Sequence, residues 1–246
     1  MGALATKVEG FNLRPGQMIG GKYVVEEFLG GGLEGEVYRV SELRTGIRRA
    51  AKLFYPQENV SDRAARAYAR KLDRLRDCPV VIHYHHAETV RAGGARVTCL
   101  FSDFVEGWLL ADYVENQPGR RLQPFEALHL IYTIAKGLEQ IHAQKEYHGD
   151  LHAFNILIKP RGIFFDVKIV DFYYLGRTSS HRRRQDVVDL VRLLYEITGG
   201  RRWYARQPPV IKAICRGMRR DLITRAFPTA RHLREYLETF PGLTLV

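Results

Sequence analysis

Hydrophobic positions along this chain follow two periods. In roughly the first 100 residues they alternate as in half-buried strands. YVVEEFLGGGLEGEVYRV (Tyr23–Val40) reads as strand, glycine-rich turn and strand, because β-branched and aromatic residues flank the glycines. RRAAKLFY (Arg48–Tyr55) is a third strand, and PVVIHYHHAETV and ARVTCLFSDFVEG are two more around the Gly93-Gly94 turn. Between them SDRAARAYARKLDRLRD (Ser61–Asp77) has helical spacing. Ser61 or Asp62 is its expected N-cap, and Ala64, Ala67, Leu72 and Leu75 form its apolar stripe.

Past Gly107 the pattern turns helical. PFEALHLIYTIAKGLEQIHAQ opens on Pro124 in a first turn and keeps Leu128, Ile131, Ala135, Leu138 and His142 at helical spacing. DVVDLVRLLYEITGG (Asp186–Gly200) is a second apolar helix closed by glycines, and PTARHLREYLETF (Pro228–Phe240) a third. A β-rich half before a helical half predicts two lobes with a hinge near Ser102–Leu109. The expected division is a lead-in segment, 1–19, a first lobe, 20–105, and a second lobe, 106–246.

Composition narrows the partners. The chain of 246 residues is 46% hydrophobic and 26% charged, a globular balance. Its formal net charge of +11 favours anionic partners. Cys78, Cys99 and Cys215 form neither a disulfide framework nor a zinc motif, which points to a reducing, cytoplasmic setting. No stretch has the length of a membrane span, the N-terminus lacks a signal-peptide core, and no nucleic-acid module is evident.

Candidate chemistry begins with Gly30, Gly32 and Gly35, which fit G-x-G-x-x-G and are followed by Val37. Such glycines let a backbone approach a polyphosphate, although a plain hairpin explains them equally well. A strand follows rather than a helix, so this is no dinucleotide fingerprint. Ala50-Ala51-Lys52 then places a lysine on the next strand. YHGDLHAFNILI holds Asp150, His152 and Asn155 just ahead of an apolar run, and VKIVDFYYLG places Asp171 at the end of an apolar strand. Hard oxygen ligands together with phosphates are how magnesium is usually held.

This order of glycine loop, lysine, hinge, Asp with Asn, and Asp resembles the protein kinase superfamily over about residues 20–240. The resemblance implies an α+β, bilobal protein-kinase-like fold: an antiparallel first lobe with one helix and a mainly helical second lobe. It implies ATP and Mg²⁺ as cofactors and a protein Ser/Thr hydroxyl as acceptor, the net charge favouring an acidic substrate. Lys52 would neutralise the α- and β-phosphates, and Asp150 would accept or orient the hydroxyl proton with His152 beside it. Asn155 and Asp171 would hold Mg²⁺. Gly30, Gly32 and Gly35 would approach the phosphates. Val37, Ala50 and Leu157 would enclose adenine, with Asp103 in the hinge stretch FSDFVEG. Leu72, His148 and Phe172 would form the hydrophobic spine.

Several positions depart from that family. Gly149 replaces the arginine that usually precedes the catalytic Asp, and His152 stands where a lysine is usual. HGDLHxxN is similar to aminoglycoside and choline phosphotransferases. Tyr173 follows Asp-Phe in place of glycine, the segment between Asp171 and Asp186 is short, and the Ala-Pro-Glu anchor is missing. Phe227 stands before Pro228, where an arginine would pair with that missing Glu. Phosphorylation of Thr178, Ser179 or Ser180 is therefore not expected to switch activity. No Glu follows Lys52 between Glu58 and Glu88, and the helix position expected to carry one is Tyr68. Asp62 and Asp73 lie about 120° and 140° away from that face. Three readings stay open: a minimal protein kinase, a small-molecule kinase, and a nucleotide-binding pseudokinase that acts as a scaffold. HYHHAE reads as a solvated strand face rather than a metal pair, and Arg182-Arg183-Arg184 as a loop.

Overall fold

A computed structural model describes residues 7–162, 164–172 and 179–239. Its contacts divide it into two units, Met1–Arg76 with Ile82–Val105, and Asp77–Val81 with Glu106–Val246.

The first unit is built on an antiparallel sheet of β1 (Met18–Ile19), β2 (Tyr23–Gly31), β3 (Gly35–Glu42), β4 (Arg48–Phe54), β5 (Tyr84–Ala92) and β6 (Ala95–Asp103). The strand order is β1-β2-β3-β4-β6-β5. Alternation sorts its side chains onto two faces. Tyr38, Val40, Ala51 and Leu53 enter a buried core with Val25, Cys99 and Phe101. Val37 and Lys52 are direct partners across β3 and β4, and with Ala50 they stay half-buried on the opposite face.

The lead-in segment belongs to this unit. Phe11 lies in the core beside Tyr55. The buried Glu36 carboxylate accepts the Phe11 N–H at 3.1 Å, the Tyr55 hydroxyl at 3.1 Å and the Tyr38 hydroxyl. Tyr38 in turn accepts the Leu13 N–H at 3.2 Å, and Gln57 pairs with both main-chain groups of Val8. Burial, and then the Glu36 charge, push the Tyr55 phenol above its ordinary range.

Helix α1 (Arg63–Arg74) buries Ala64, Ala65, Tyr68, Lys71 and Leu72. Neither Ser61 nor Asp62 caps it. Both adopt left-handed backbone, and Asn59 Oδ1 accepts the Ala65 N–H at 3.0 Å instead. Asp62 is taken by Asn59 Nδ2 at 3.1 Å and by the Thr98 hydroxyl. The strand expected from Pro79 begins only at Tyr84. Residues Asp77–Val81 join the second unit, where Val80 O accepts the Ile169 N–H at 2.7 Å.

That second unit carries a small sheet of β7 (Trp108–Leu109), β8 (Ile156–Arg161) and β9 (Phe164–Ile169), in the order β7-β8-β9. Its helices are α2 (Leu110–Glu115), α3 (Pro124–Ala143), α4 (Ser180–Ile197), α5 (Gly200–Tyr204), α6 (Pro209–Cys215), α7 (Arg220–Ala226) and α8 (Ala230–Thr239). Helix α3 packs on α4, α8 and β9. Helix α4 starts six residues ahead of the expected Asp186. Ser179 caps it, its Oγ accepting the Arg182 N–H at 3.2 Å, so Arg182, Arg183 and Arg184 are helical rather than loop. Helix α8 starts at Ala230, and its expected last residue, Phe240, lies outside the described residues.

His129 on α3 is buried between Phe125 and Phe164, and its Nε2 has no hydrogen-bond partner among the described residues. Burial therefore holds its pKa below the ordinary value. The unfolded chain takes up this proton near pH 6.5 and the folded chain only at lower pH. Its contribution to stability is complete above that value and is lost as pH falls through the window below it. Urea midpoints should fall between pH 7.5 and pH 5.5, and His129→Phe should flatten that fall. An unchanged slope in the variant would exonerate His129.

Candidate active site

The turn before β8 gathers the polar groups singled out in the sequence. Asn155 is buried, and its Nδ2 donates to Asp150 O at 2.9 Å and to Asp150 Oδ2 at 3.4 Å. His152 Nδ1 accepts the Phe154 N–H at 3.3 Å, and its Nε2 lies 3.2 Å from Asn155 Nδ2 and 3.4 Å from Asp150 Oδ2. Two residues at short spacing, His152 and Asn155, thus converge on the Asp150 carboxylate. The Asp150 side chain remains 63% exposed and open to an incoming group.

What fixes this turn is a residue that the sequence reading did not single out for it. Asp186, in the second turn of α4, is fully buried. Its carboxylate accepts the His148 N–H at 2.8 Å, the Gly149 N–H at 2.8 Å and His142 Nε2 at 2.9 Å. Two consecutive main-chain donors can meet one carboxylate because Gly149 has φ +88°, a left-handed conformation that a side chain disfavours. His148 is also locked. Its Nε2 lies 2.9 Å from Val170 O, its Nδ1 accepts the Asp150 N–H at 3.2 Å, and its ring lies 4.7 Å from that of Phe172. The only hint in the sequence is an acid leading the apolar run DVVDLV. His142, read as a member of the α3 apolar stripe, points its nitrogen at that acid.

Asp171 follows β9 by two residues. Its backbone is left-handed, φ +56°, a conformation that Asp tolerates better than most residues. Val170 N–H donates to Asn155 O at 2.9 Å, so the approach to Asp171 is tied to the same turn. Tyr173 and Thr178 lie outside the described residues.

On the first unit, Lys52 projects from β4 on the face of Val37 and Ala50. Its ammonium stands 4.7 Å from the Tyr68 ring centre and 5.4 Å from that of Phe54. The α1 position where a Glu is usual thus offers a π face instead. A carboxylate reaches the lysine from elsewhere: Glu34 Oε2, in the glycine-rich loop, lies 3.3 Å from Nζ. Of the loop glycines, Gly35 is required by packing, since a Cβ there would sit 1.9 Å from Leu53 O, whereas Gly30 and Gly32 have open space around them. The Asp103 carboxylate faces His83 Nδ1 at 3.1 Å and His85 Nε2 at 2.7 Å, and its N–H donates to His83 O at 3.0 Å. The histidine stretch is therefore engaged with Asp103 rather than merely solvated. Leu157 is half-buried on β8, opposite Lys168 and Leu109.

An antiparallel-sheet unit with one α-helix, followed by a mainly helical unit holding this Asp-Asn turn, is the protein kinase fold. The protein kinase domain family matches residues 23–208, and the chain belongs to it. It is 30% identical over 164 residues to the serine/threonine-protein kinase PkaA of Streptomyces coelicolor, covering 63% of this chain and 30% of that one. It is 27% identical over 169 residues to the serine/threonine-protein kinase PrkC of Bacillus subtilis, covering 67% and 24%. To Myosin-IIIa of Mus musculus it is 26% identical over 162 residues, covering 64% and 10%. The chain thus matches less than a third of the length of these curated relatives. The PknI kinase domain of Mycobacterium tuberculosis shares the fold at a TM-score of 0.64 and 19% identity, with 92% of this chain and 98% of that one covered.

Proposed function

We propose that this chain binds Mg-ATP and transfers the γ-phosphate to a Ser/Thr hydroxyl of a protein. The observation that carries the reading is the Asp150–His152–Asn155 turn braced by Asp186. Asp150 is exposed enough to meet a hydroxyl and held well enough to orient it or take its proton. Lys52 neutralises the α- and β-phosphates, with Val37 and Ala50 on the same sheet face against adenine.

The donor set fits a magnesium ion. Asn155 spends its Nδ2 on Asp150, which leaves Oδ1 as a ligand, and Asp171 supplies a carboxylate. Among the described residues no cluster of three or more His, Cys, Asp or Glu is arranged to hold a metal. A few protein oxygens completed by phosphates and water are what Mg²⁺ takes. When bound, the ion would supply positive charge that neutralises the phosphates.

The net charge of +11 favours acidic protein segments as substrates. A cytoplasmic setting is supported by the three cysteines, all buried and unpaired by disulfides. Burial pushes the Cys215 thiol up to about 12 and raises those of Cys78 and Cys99. No helix of the described residues is long and apolar enough to cross a membrane. A second reading, a nucleotide-binding scaffold without efficient transfer, is favoured by Tyr68 standing where the ion-pair Glu is usual.

The test is a thermal-shift titration with Mg-ATP, followed by radiolabelled transfer to the chain itself and to an acidic protein. At a hundred times the dissociation constant, binding adds about 2.7 kcal/mol, which raises Tm by about 5–10 °C for a chain of this size. Asp171→Asn should abolish most of that shift, because one anionic ligand is lost. A full shift in the variant would place the metal elsewhere. A parent that shifts but transfers nothing would establish the scaffold reading.

A further inference from the structure

We infer that Glu34 competes with nucleotide phosphates for Lys52, so that this single residue of the glycine-rich loop sets the affinity for nucleotide; the inference rests on the nucleotide-binding reading above. Glu34 Oε2 lies 3.3 Å from Lys52 Nζ. The lysine side chain is 13% exposed and the glutamate side chain 35%, so the pair is partly shielded from water. Lys52 is the group assigned to the α- and β-phosphates. A carboxylate on that ammonium stands where a phosphate oxygen would stand, and two anions brought to one cation repel each other.

The two acids of the loop are not equivalent. Glu36 is buried on the core face and is held by the Phe11 N–H and by the Tyr38 and Tyr55 hydroxyls. Glu34 instead turns to the face that carries Val37, Ala50 and Lys52. Its main chain is pinned, because Glu34 O accepts the Tyr55 N–H at 2.8 Å. The next residue, Gly35, has no room for even a Cβ against Leu53 O. The root of the loop is therefore fixed, and the carboxylate clears Lys52 by rotating about its side-chain bonds alone. Lys52 keeps the Tyr68 and Phe54 rings beside it when the carboxylate leaves, so it does not depend on Glu34 for its position.

The experiment is calorimetric titration of Mg-ATP, and separately of adenosine, into the parent, Glu34→Gln and Glu34→Ala. Both substitutions should tighten Mg-ATP about two- to fivefold, the scale of a partly exposed ion pair. Adenosine has no phosphate, so its affinity should stay at the parent value. The gain for Mg-ATP should shrink as salt is raised. If Mg-ATP binds no tighter, or binds more weakly, in both variants, Glu34 supports Lys52 rather than competing for it and the inference falls. An equal change for adenosine would mean that the loop has repacked, and would also overturn it. A parent that binds neither compound sinks the nucleotide reading itself and the inference with it.

Discussion

Asp150→Asn should lower the rate of the proposed phosphate transfer by about a hundredfold to ten-thousandfold, the range of a lost general base, while Mg-ATP affinity should stay within about twofold of the parent. The split follows from where Asp150 sits. Its carboxylate is mostly exposed, and its neighbours are His152 Nε2 and Asn155 Nδ2. An asparagine fills the same volume and can still contact them, but its amide cannot take a proton from a hydroxyl. The metal ligands proposed above are Asn155 and Asp171, so binding should be spared. Single-turnover assays together with direct titration of Mg-ATP separate the two quantities. Near-parent transfer in the variant would remove Asp150 from the mechanism, and an equal loss of affinity would make it a nucleotide ligand.

Asp186→Ala is expected to destabilise the chain by about 2–4 kcal/mol, because three donors lose the buried carboxylate they share. The His148 N–H, the Gly149 N–H and His142 Nε2 all converge on that carboxylate. A loss of this size is a large fraction of the stability of an ordinary domain. Transfer should fall as well, although Asp186 touches neither substrate, because the turn holding Asp150 loses its tether. Asp186→Asn keeps one acceptor oxygen and should lie between parent and alanine in both stability and rate. Urea unfolding and transfer measured on the same three proteins test this. An alanine variant with parental stability and rate would show that the turn is held by other contacts.

Much of this molecule is legible in its sequence because much of its information is local. The alternation in Tyr23–Val40 and Arg48–Tyr55 places β2, β3 and β4, and the same period puts Val37 and Lys52 on one face. Asp150, His152 and Asn155 are close in sequence, so their convergence in one turn is a short-range event. What was not legible depends on distant partners. Nothing near Asp186 reveals that it serves residues 148 and 149, since the partners lie 37 and 38 positions away. The Lys52–Glu34 contact needs the register of two strands and the direction of a loop. Ser61 and Asp62 are good caps by type, yet left-handed backbone removes both, and Asn59 reaches over them. Pro79–Val81 is as apolar as a strand, but its carbonyls serve β9 and the Lys168 ammonium in the second unit.

The Glu36 cluster also bears on where the folded polypeptide begins. The family match starts at Tyr23, and a polypeptide cut at that point would retain every residue assigned to nucleotide and metal. It would still be compromised. Phe11 and Ile19 would leave the core, and Tyr38 and Tyr55 would face the vacated space. The Glu36 carboxylate would keep its phenolic donors but lose the Phe11 N–H, next to the glycine-rich loop on the same strand. Shortened forms intended for crystallisation or assay therefore need to begin ahead of Val8, whose main chain is clasped by Gln57.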